Sequence, residues 1–319
     1  MDDAERPRVR DGNPTARVDE LVSHRDVVAN GIRLHCVVAG PEDGDLVVLL
    51  HGFPECWYSW RHQIPALVDA GYRVVAPDMR GYNRSEKPHG VAAYRLPALV
   101  GDVVGLLDAF GATRAHVVGH DWGGVVAWEF AGTYPDRVTS LTIMNAPHPT
   151  KYVRELSLEQ ARRSWYVLAF QVPWLPERLF ARRDFAAFET LFGEGTVDPN
   201  AFTPAEIDQY KAAFRRPGAL ESAINYYRAL FRESMPGALL ARIPVVGPAI
   251  ADPVTPIEPP TLVVWGERDV ALSLEQVEGL ERYVEDVRVE RLPDASHWVQ
   301  VDAPDRVTDA ILEFLASNR

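Results

Sequence analysis

The sequence predicts an α/β protein in which a mostly parallel sheet is flanked by helices and interrupted by a helical insertion. Three observations lead to this prediction. Short runs rich in Val, Leu and Ile alternate with longer helical patterns, the alternation stops over residues 147–259, and it resumes at Leu262. Alternation of this kind is typical of parallel sheets, because a parallel strand pair needs a crossover connection that a helix usually supplies.

The strands are predicted from their length, their β-branched residues and the turn residues that follow them. The run at 46–50 contains only Leu and Val, which is typical of a strand buried on both faces. A helical pattern follows most of these runs, as strand–helix units require. The predicted strands are 32–38, 46–50, 72–76, 115–118, 138–144, 262–265 and 287–292.

Residues 147–259 are predicted to form a helical cap over the core. This stretch has helical spacing and many aromatic residues, and prolines cluster at its edges in NAPHP and DPVTPIEPP. Proline restricts the preceding backbone and therefore marks boundaries. An insertion between two strands covers the strand ends, where ligands bind in such sheets. The core is then 24–146 and 260–319, and the polar residues 1–23 are predicted to be a flexible tail.

Composition limits the partners of the chain. The net charge of −12 argues against nucleic acid or an anionic membrane surface, since both require clustered cations. No run approaches the ~18 apolar residues of a membrane span, and the N-terminus lacks a signal-peptide core, so we expect a cytoplasmic protein.

Cys36 and Cys56 are expected to be buried thiols, with the role of Cys56 open. With no ligand cluster or phosphate loop, we expect no metal and no cofactor.

The stretch GHDWGG at 119–124 has the outline of a nucleophile elbow, G-x-S-x-G, with Asp121 in place of serine. It follows a predicted strand and precedes a helical pattern, which is the context that such an elbow needs. Flanking glycines are required because neighbouring side chains would collide with the adjoining strand and helix. A carboxylate nucleophile suits attack on a saturated carbon that bears a leaving group.

Two further residues complete a triad in the chain order nucleophile, acid, histidine. Asp269, in WGERD, follows a predicted strand, and His297, in ASHW, lies in a loop between the last predicted strand and the final helix. Asp269 would orient His297 as the general base. The backbone N–H groups of Phe53, in HGFP, and of Trp122 are candidates for an oxyanion hole.

These motifs resemble those of the α/β-hydrolase fold epoxide hydrolases. The similar stretches are HGFPECWYSWRHQ, APDMRGYNRSEKP, GHDWGG, WGERD and SHWVQ, and they span nearly the whole core. The resemblance implies the α/β-hydrolase fold, an aspartate nucleophile and hydrolysis of an epoxide to a vicinal diol. The haloalkane and haloacid dehalogenases share these core motifs, so the cap must distinguish the two activities.

The resemblance also implies two cap tyrosines that donate protons to the epoxide oxygen. Tyr166 lies in YVLAFQ, which is similar to the Tyr-x-x-x-Phe-Gln pattern of the family, and Tyr227 lies in a Tyr-Arg pattern. Tyr226 is adjacent, so either residue could be the second acid, with Tyr227 favoured by the arginine that follows it. A phenol, with a pKa of about 10, stays protonated at neutral pH and can donate.

The expected partners are a small apolar epoxide and water, and an exposed edge of the cap could support a homodimer. Residues expected to contact the substrate are Trp122, Trp165, Phe170 and Trp298. Two alternatives stay open. In a dehalogenase, the indole N–H groups of Trp122 and Trp165 would bind the halide. In a non-catalytic ligand-binding protein on the same scaffold, the catalytic residues would be dispensable. The substrate and its preferred enantiomer are not determined by the sequence.

Overall fold

In the computed structural model, residues 14–241 and 256–319 are described, and their strands form one eight-stranded sheet. Its spatial order is β1-β2-β4-β3-β5-β6-β7-β8. β1 and β2 form an antiparallel pair, β2 is antiparallel to β4, and all remaining neighbours are parallel. The strands are β1 Ser23–Ala29, β2 Ile32–Ala39, β3 Leu46–Leu50, β4 Arg73–Pro77, β5 Ala115–His120, β6 Val138–Met144, β7 Thr261–Gly266 and β8 Val287–Leu292. The predicted mostly parallel sheet is confirmed.

Helices cover this sheet along its length. α2 contacts β4, α3 contacts β1, α4 contacts β5 and β6, and the C-terminal α13 contacts β7. The helices are α1 Pro14–Leu21, α2 Gln63–Asp69, α3 Leu96–Ala109, α4 Trp122–Thr133, α5 Pro149–Arg154, α6 Leu158–Arg163, α7 Trp165–Ala169, α8 Leu175–Ala181, α9 Ala186–Gly195, α10 Pro204–Phe214, α11 Ala219–Ala241, α12 Val299–Asp302 and α13 Pro304–Ser317.

The centre of the sheet is fully buried. All residues of β3 and β5 are buried, which agrees with the unbroken apolar run that predicted β3. Cys36 and Cys56 are both free and buried, as expected from the sequence. Burial raises the pKa of both thiols, so neither is a reactive thiolate at neutral pH.

The prediction of a flexible tail over residues 1–23 is wrong for its last ten residues. Pro14–Leu21 form α1, where Val18 is fully buried, and Ser23 begins β1. β1 itself was missed in the sequence because it is an edge strand whose first four residues are exposed and polar, so the apolar alternation is weak. Residues 1–13 lie outside the described residues.

Between β6 and β7 the described residues form only α5 to α11, as the predicted insertion requires. The insertion is tied to the core by an ion pair in which the fully buried Arg61 donates from Nε to Glu206 of α10 at 2.6 Å. The end of the predicted cap at 242–255 lies outside the described residues. None of the helices in the described part of the chain combines the length and the apolar character that a bilayer crossing needs.

Candidate active site

The elbow places Asp121 between β5, which ends at His120, and α4, which begins at Trp122. Asp121 has φ 49° and ψ −118°, a conformation that L side chains rarely adopt and that marks functional sites. The glycine after it is sterically required, because a Cβ on Gly123 would lie 2.0 Å from the carbonyl oxygen of Leu50. The turn therefore presents the carboxylate above the sheet, and the Asp121 side chain is 19% exposed.

The loop after β3 directs a backbone donor at this carboxylate. The N–H of Phe53 donates to Oδ1 of Asp121 at 2.8 Å. The loop is fixed by the buried His51, which bonds the Gly52 carbonyl through Nδ1 at 2.9 Å and accepts from the N–H of Met79 at Nε2. The Phe53 N–H is therefore held in position next to Oδ1 before any reaction begins.

The structure brings the three predicted triad residues together. Nε2 of His297 lies 3.6 Å from Oδ2 of Asp121, and its Nδ1 lies 2.7 Å from Oδ2 of Asp269. His297 stands in the loop between β8 and α12, and Asp269 follows β7. The carboxyl ends of parallel strands share one edge of a sheet, which explains why residues distant in sequence meet here.

Asp269 is held by four donors. Oδ1 accepts the N–H groups of Ala271 and Leu272 at 2.7 and 2.9 Å, and Oδ2 accepts Nδ2 of Asn145 at 2.7 Å besides His297. Asn145 also accepts the N–H of Gly266 at 2.9 Å through Oδ1, so the orientation of its amide is fixed. Asn145 directly follows β6 at the same edge of the sheet, but no motif in the sequence marks it as part of the site.

The pKa values of Asp269 and His297 shift in opposite directions. Burial disfavours the charged imidazole, but the carboxylates of Asp269 and Asp121 outweigh burial and raise the pKa of His297 well above its usual value. Burial likewise disfavours the charged form of Asp269, yet His297 and Asn145 lower the pKa of this carboxyl below its usual range. Asp269 is therefore ionised at neutral pH and can stabilise a protonated His297.

Two cap tyrosines lie above Asp121. The rings of Tyr166, on α7, and Tyr227, on α11, are 5.8 Å apart and nearly perpendicular, and Tyr227 packs at 4.9 Å against Trp122. Burial first, and the charge of Asp121 next, raise the pKa of both phenols well above 10. Both hydroxyls are therefore protonated at neutral pH and can donate.

Tyr226 has a different environment. Its hydroxyl donates to the backbone carbonyl of Arg80 at 2.8 Å, and its ring packs against Tyr82 and Tyr94. The hydroxyl of Tyr226 is thus bonded to the core, whereas Tyr227 packs beside Tyr166 and Trp122, and its role as the second acid stays a prediction.

Comparisons with known proteins agree with this geometry. The chain matches the α/β hydrolase fold family over residues 45–304. It is 40% identical over 291 residues to the AB hydrolase superfamily protein YfhM of Bacillus subtilis (strain 168), covering 91% of this chain and 96% of that protein. It is 37% identical over 294 residues to Epoxide hydrolase 4 of Mus musculus, covering 90% and 77%.

Among solved structures, a Bacillus megaterium epoxide hydrolase in complex with an inhibitor superposes with a TM-score of 0.79 at 30% identity, covering 92% of this chain and 100% of that one. The chain belongs to the α/β-hydrolase fold epoxide hydrolases. The resemblance of its motifs to this family and the predicted fold are thereby confirmed.

Other aromatic residues divide between the interior of this epoxide hydrolase and its surface. Phe170 is buried and contacts Tyr166, Tyr227 and Phe53, and its contact with substrate stays a prediction. Trp165 is 67% exposed and stacks on no ring among the described residues. The prediction that Trp165 lines the pocket is therefore wrong, because its helix position points it outwards while the next residue, Tyr166, faces in.

Trp298 was also predicted to contact the substrate. It is buried, its ring lies 5.2 Å from that of His297, and its other neighbours are Phe192 and Phe202 of the cap. These contacts describe a packing residue that supports His297 from the cap side, and its contact with substrate stays a prediction. Trp122 is buried beneath Tyr226 and Tyr227.

A buried polar network that no local sequence pattern predicts lies behind His297. Oε2 of Glu55, in the motif HGFPE, lies 2.8 Å from Nδ1 of His120, and Nε2 of His120 donates to the backbone carbonyl of His297 at 2.9 Å. Nε2 of Gln300 donates to Oε1 of Glu55 at 3.2 Å. His120, first among the groups that favour the charged form, lowers the pKa of Glu55 to about 2 despite complete burial. The network fixes the backbone that carries His297.

Proposed function

We propose that the protein hydrolyses an apolar epoxide to a vicinal diol through an ester on Asp121. One observation carries the proposal: two protonated phenols, Tyr166 and Tyr227, lie together in the cap beside Trp122, close enough to Asp121 that its charge, after burial, raises the pKa of both. An epoxide that opens leaves an alkoxide, which needs a proton, whereas a departing halide is a stable anion. A pair of proton donors opposite the carboxylate is therefore suited to an epoxide.

The first step forms the ester. Oδ1 of Asp121 is occupied by the Phe53 N–H, so Oδ2 is the oxygen that attacks an epoxide carbon. The ring C–O bond breaks, its electron pair passes to the epoxide oxygen, and a proton from Tyr166 or Tyr227 neutralises that oxygen. The aromatic side chains around these phenols, Phe170 among them, form an apolar lining that favours an apolar substrate.

The second step hydrolyses the ester. His297 takes a proton from water, and the resulting hydroxide attacks the carboxyl carbon of Asp121. The negative charge that develops on Oδ1 is stabilised by the N–H of Phe53, with the N–H of Trp122 as the second donor. Asp269 stabilises the protonated imidazole. The tetrahedral intermediate expels the diol oxygen, which receives the proton from His297. The carboxylic acid formed on Asp121 then loses its proton, which returns to the tyrosine deprotonated in the first step, so Asp121 regains its charge.

A His297→Gln variant tests the proposal, because it should form the ester but hydrolyse it slowly. The variant would be incubated with equal amounts of styrene oxide and 1-chlorohexane, followed by intact mass measurement and peptide mapping. The expected result is a hydroxyalkyl ester on Asp121. A hexyl ester would instead indicate dehalogenation. His89→Gln, the same change at an exposed histidine, is the matched control and should accumulate no adduct.

If wild type consumes neither compound and the variant forms no adduct, the epoxide assignment is not supported.

We further propose a cytoplasmic location, and we retain the homodimer as a prediction. Sedimentation velocity over a range of concentrations tests the dimer directly, since a monomer at all concentrations would reject it.

A further inference from the structure

Six of the eleven large hydrophobic side chains that are exposed among the described residues lie on one part of the cap. They lie along α7, α8 and the connection between these helices, and we call them the cap apolar face: Trp165, Leu168, Val172, Trp174, Leu175 and Leu179. Trp165 and Leu168 are one helical turn apart on α7, and Leu175 and Leu179 are one turn apart on α8. Isolated exposed apolar residues are ordinary, but a continuous group of them marks an interaction surface.

Hydrogen bonds from a buried arginine fix the backbone that carries the cap apolar face. Arg228 of α11 is buried and donates to the backbone carbonyls of Phe170 and Val172 at 2.8 and 3.0 Å, and to Glu177 of α8 at 2.6 Å. These bonds fix the connection between α7 and α8. Trp174 has φ 56°, which is unfavourable for a bulky residue, and it is nonetheless 60% exposed. The ring is therefore displayed at a conformational cost and without burial in return.

The charge around the face is opposite to that of the whole chain. Residues 159–184 contain five arginines and three acidic residues, a net charge of +2, in a chain of net charge −12. Each of the three acidic residues is already paired: Glu159 with Arg163, Glu177 with Arg228 and Asp184 with Arg215. Within the described residues, Arg162, Arg182 and Arg183 form no ion pair, and the guanidinium of Arg178 lies 4.7 Å from the ring of Trp174.

We propose that the cap apolar face binds an anionic lipid surface. Tryptophan and leucine beside arginine are the side chains that enter the headgroup region, where the rings lie at the interface and the cations contact lipid phosphates. The whole-chain charge argued against such a surface, but a membrane meets the local charge of the face. A protein partner would not require this combination of apolar residues and unpaired arginines.

The cap apolar face lies next to the residues that surround Asp121, which relates lipid binding to the reaction. Trp165 and Tyr166 are adjacent on α7, one outside the cap and the other facing Asp121. An apolar epoxide partitions into lipid, so attachment through this face would bring the cap to the phase that holds the substrate. This purpose rests on the proposed function, whereas lipid binding itself does not.

Binding is therefore measured without substrate, by flotation with vesicles of phosphatidylcholine and phosphatidylserine in equal parts. Vesicles of phosphatidylcholine alone are the lipid control. We expect the wild type to float with the anionic vesicles and the bound fraction to fall with added salt. Arg162→Gln/Arg182→Gln/Arg183→Gln should bind roughly 10²-fold more weakly, at about fivefold for each arginine.

A second variant removes the apolar contacts without backbone strain. Trp174→Asn/Leu179→Ser suits position 174, because asparagine tolerates positive φ, and it should lower affinity for the anionic vesicles at least tenfold. The matched control, Tyr134→Asn/Val28→Ser, removes an exposed aromatic and an exposed aliphatic residue outside the cap and should bind as wild type does. Thermal unfolding verifies that every variant is folded.

Three results would overturn the proposal. The wild type could fail to bind anionic vesicles, it could bind both kinds of vesicle equally with no effect of the arginine substitutions, or the cap variants could alter only a monomer–dimer equilibrium. The last result would assign the face to a second copy of the chain. None of these results depends on epoxide turnover, so failure here is distinguishable from failure of the proposed function.

Discussion

Asp269→Asn tests how the acid of the triad acts, because the substitution changes hydrogen bonding with almost no change in shape. Oδ1 of Asp269 accepts two backbone N–H groups, so an asparagine must keep its oxygen there and place its NH₂ where Oδ2 was. That NH₂ faces the amide NH₂ of Asn145 and Nδ1 of His297. His297 would then accept at Nδ1 and carry its proton on Nε2, the nitrogen that faces Asp121.

The magnitude follows from the loss of two hydrogen bonds to a charged carboxylate, since the bond that the new NH₂ donates to Nδ1 of His297 joins neutral groups. Oδ2 of Asp269 accepts from Asn145 and from His297, each at 2.7 Å. A hydrogen bond to a charged group contributes about 1.5–3 kcal/mol, so the pair is worth about 3–6 kcal/mol, a factor of roughly 10²–10⁴. Asn145 cannot turn its amide to relieve the conflict, because its Oδ1 accepts the N–H of Gly266.

The loss should fall on ester hydrolysis and not on ester formation, since attack by Asp121 needs no proton transfer to His297. Rapid-quench measurement with styrene oxide separates the two rates. We expect hydrolysis to slow by roughly 10²–10⁴-fold, alkylation to stay within a few-fold of wild type, and ester to accumulate. Asp294→Asn, at an exposed aspartate, is the matched control. Hydrolysis at the wild-type rate would refute the role assigned to Asp269.

Tyr227→Phe should slow alkylation by roughly 10²-fold or more, whereas Tyr226→Phe should lower the melting temperature and leave alkylation nearly unchanged; equal kinetic effects would reject the assignment of Tyr227. Glu55→Gln weakens the network behind His297 and should slow single-turnover hydrolysis about tenfold or more, an effect absent if Glu55 serves only packing. Gly123→Ala should abolish folded protein on circular dichroism, because its Cβ would meet a backbone oxygen at 2.0 Å. Since hydrolysis needs neutral His297, its rate should fall as pH drops through the pKa that His297 has in the ester, which lies below that of the free enzyme because the charge of Asp121 is gone, and a flat single-turnover profile would contradict this role.

The sheet was predictable because buried parallel strands leave a strong local signal. Runs 46–50, 138–144 and 287–292 match β3, β6 and β8 at both ends. The nucleophile elbow was predictable for a related reason: close approach of strand and helix demands glycine at fixed positions around Asp121. Edge strand β1 and helix α1 were not predictable in this way, because their exposed polar residues resemble a loop.

The supporting residues of the site could not be read from local patterns. Glu55 and His120 meet across 65 positions in sequence, and Asn145 meets Asp269 across 124, so their roles depend on which strand ends are neighbours. The outward direction of Trp165 was equally hidden. An aromatic residue beside a candidate acid suggests a pocket, but successive residues of a helix point about 100° apart.

The covalent intermediate changes the electrostatics of its own base. In the free enzyme the charges of Asp269 and Asp121 together raise the pKa of His297, against the effect of burial. Once Asp121 is esterified its charge is gone, while the burial and Asp269 remain, so the pKa of His297 must fall. The histidine is thus less basic toward solvent protons at the stage when it has to be neutral to activate water. A nucleophile that is a carboxylate gives this coupling between the two steps, which a serine, neutral before attack, cannot provide.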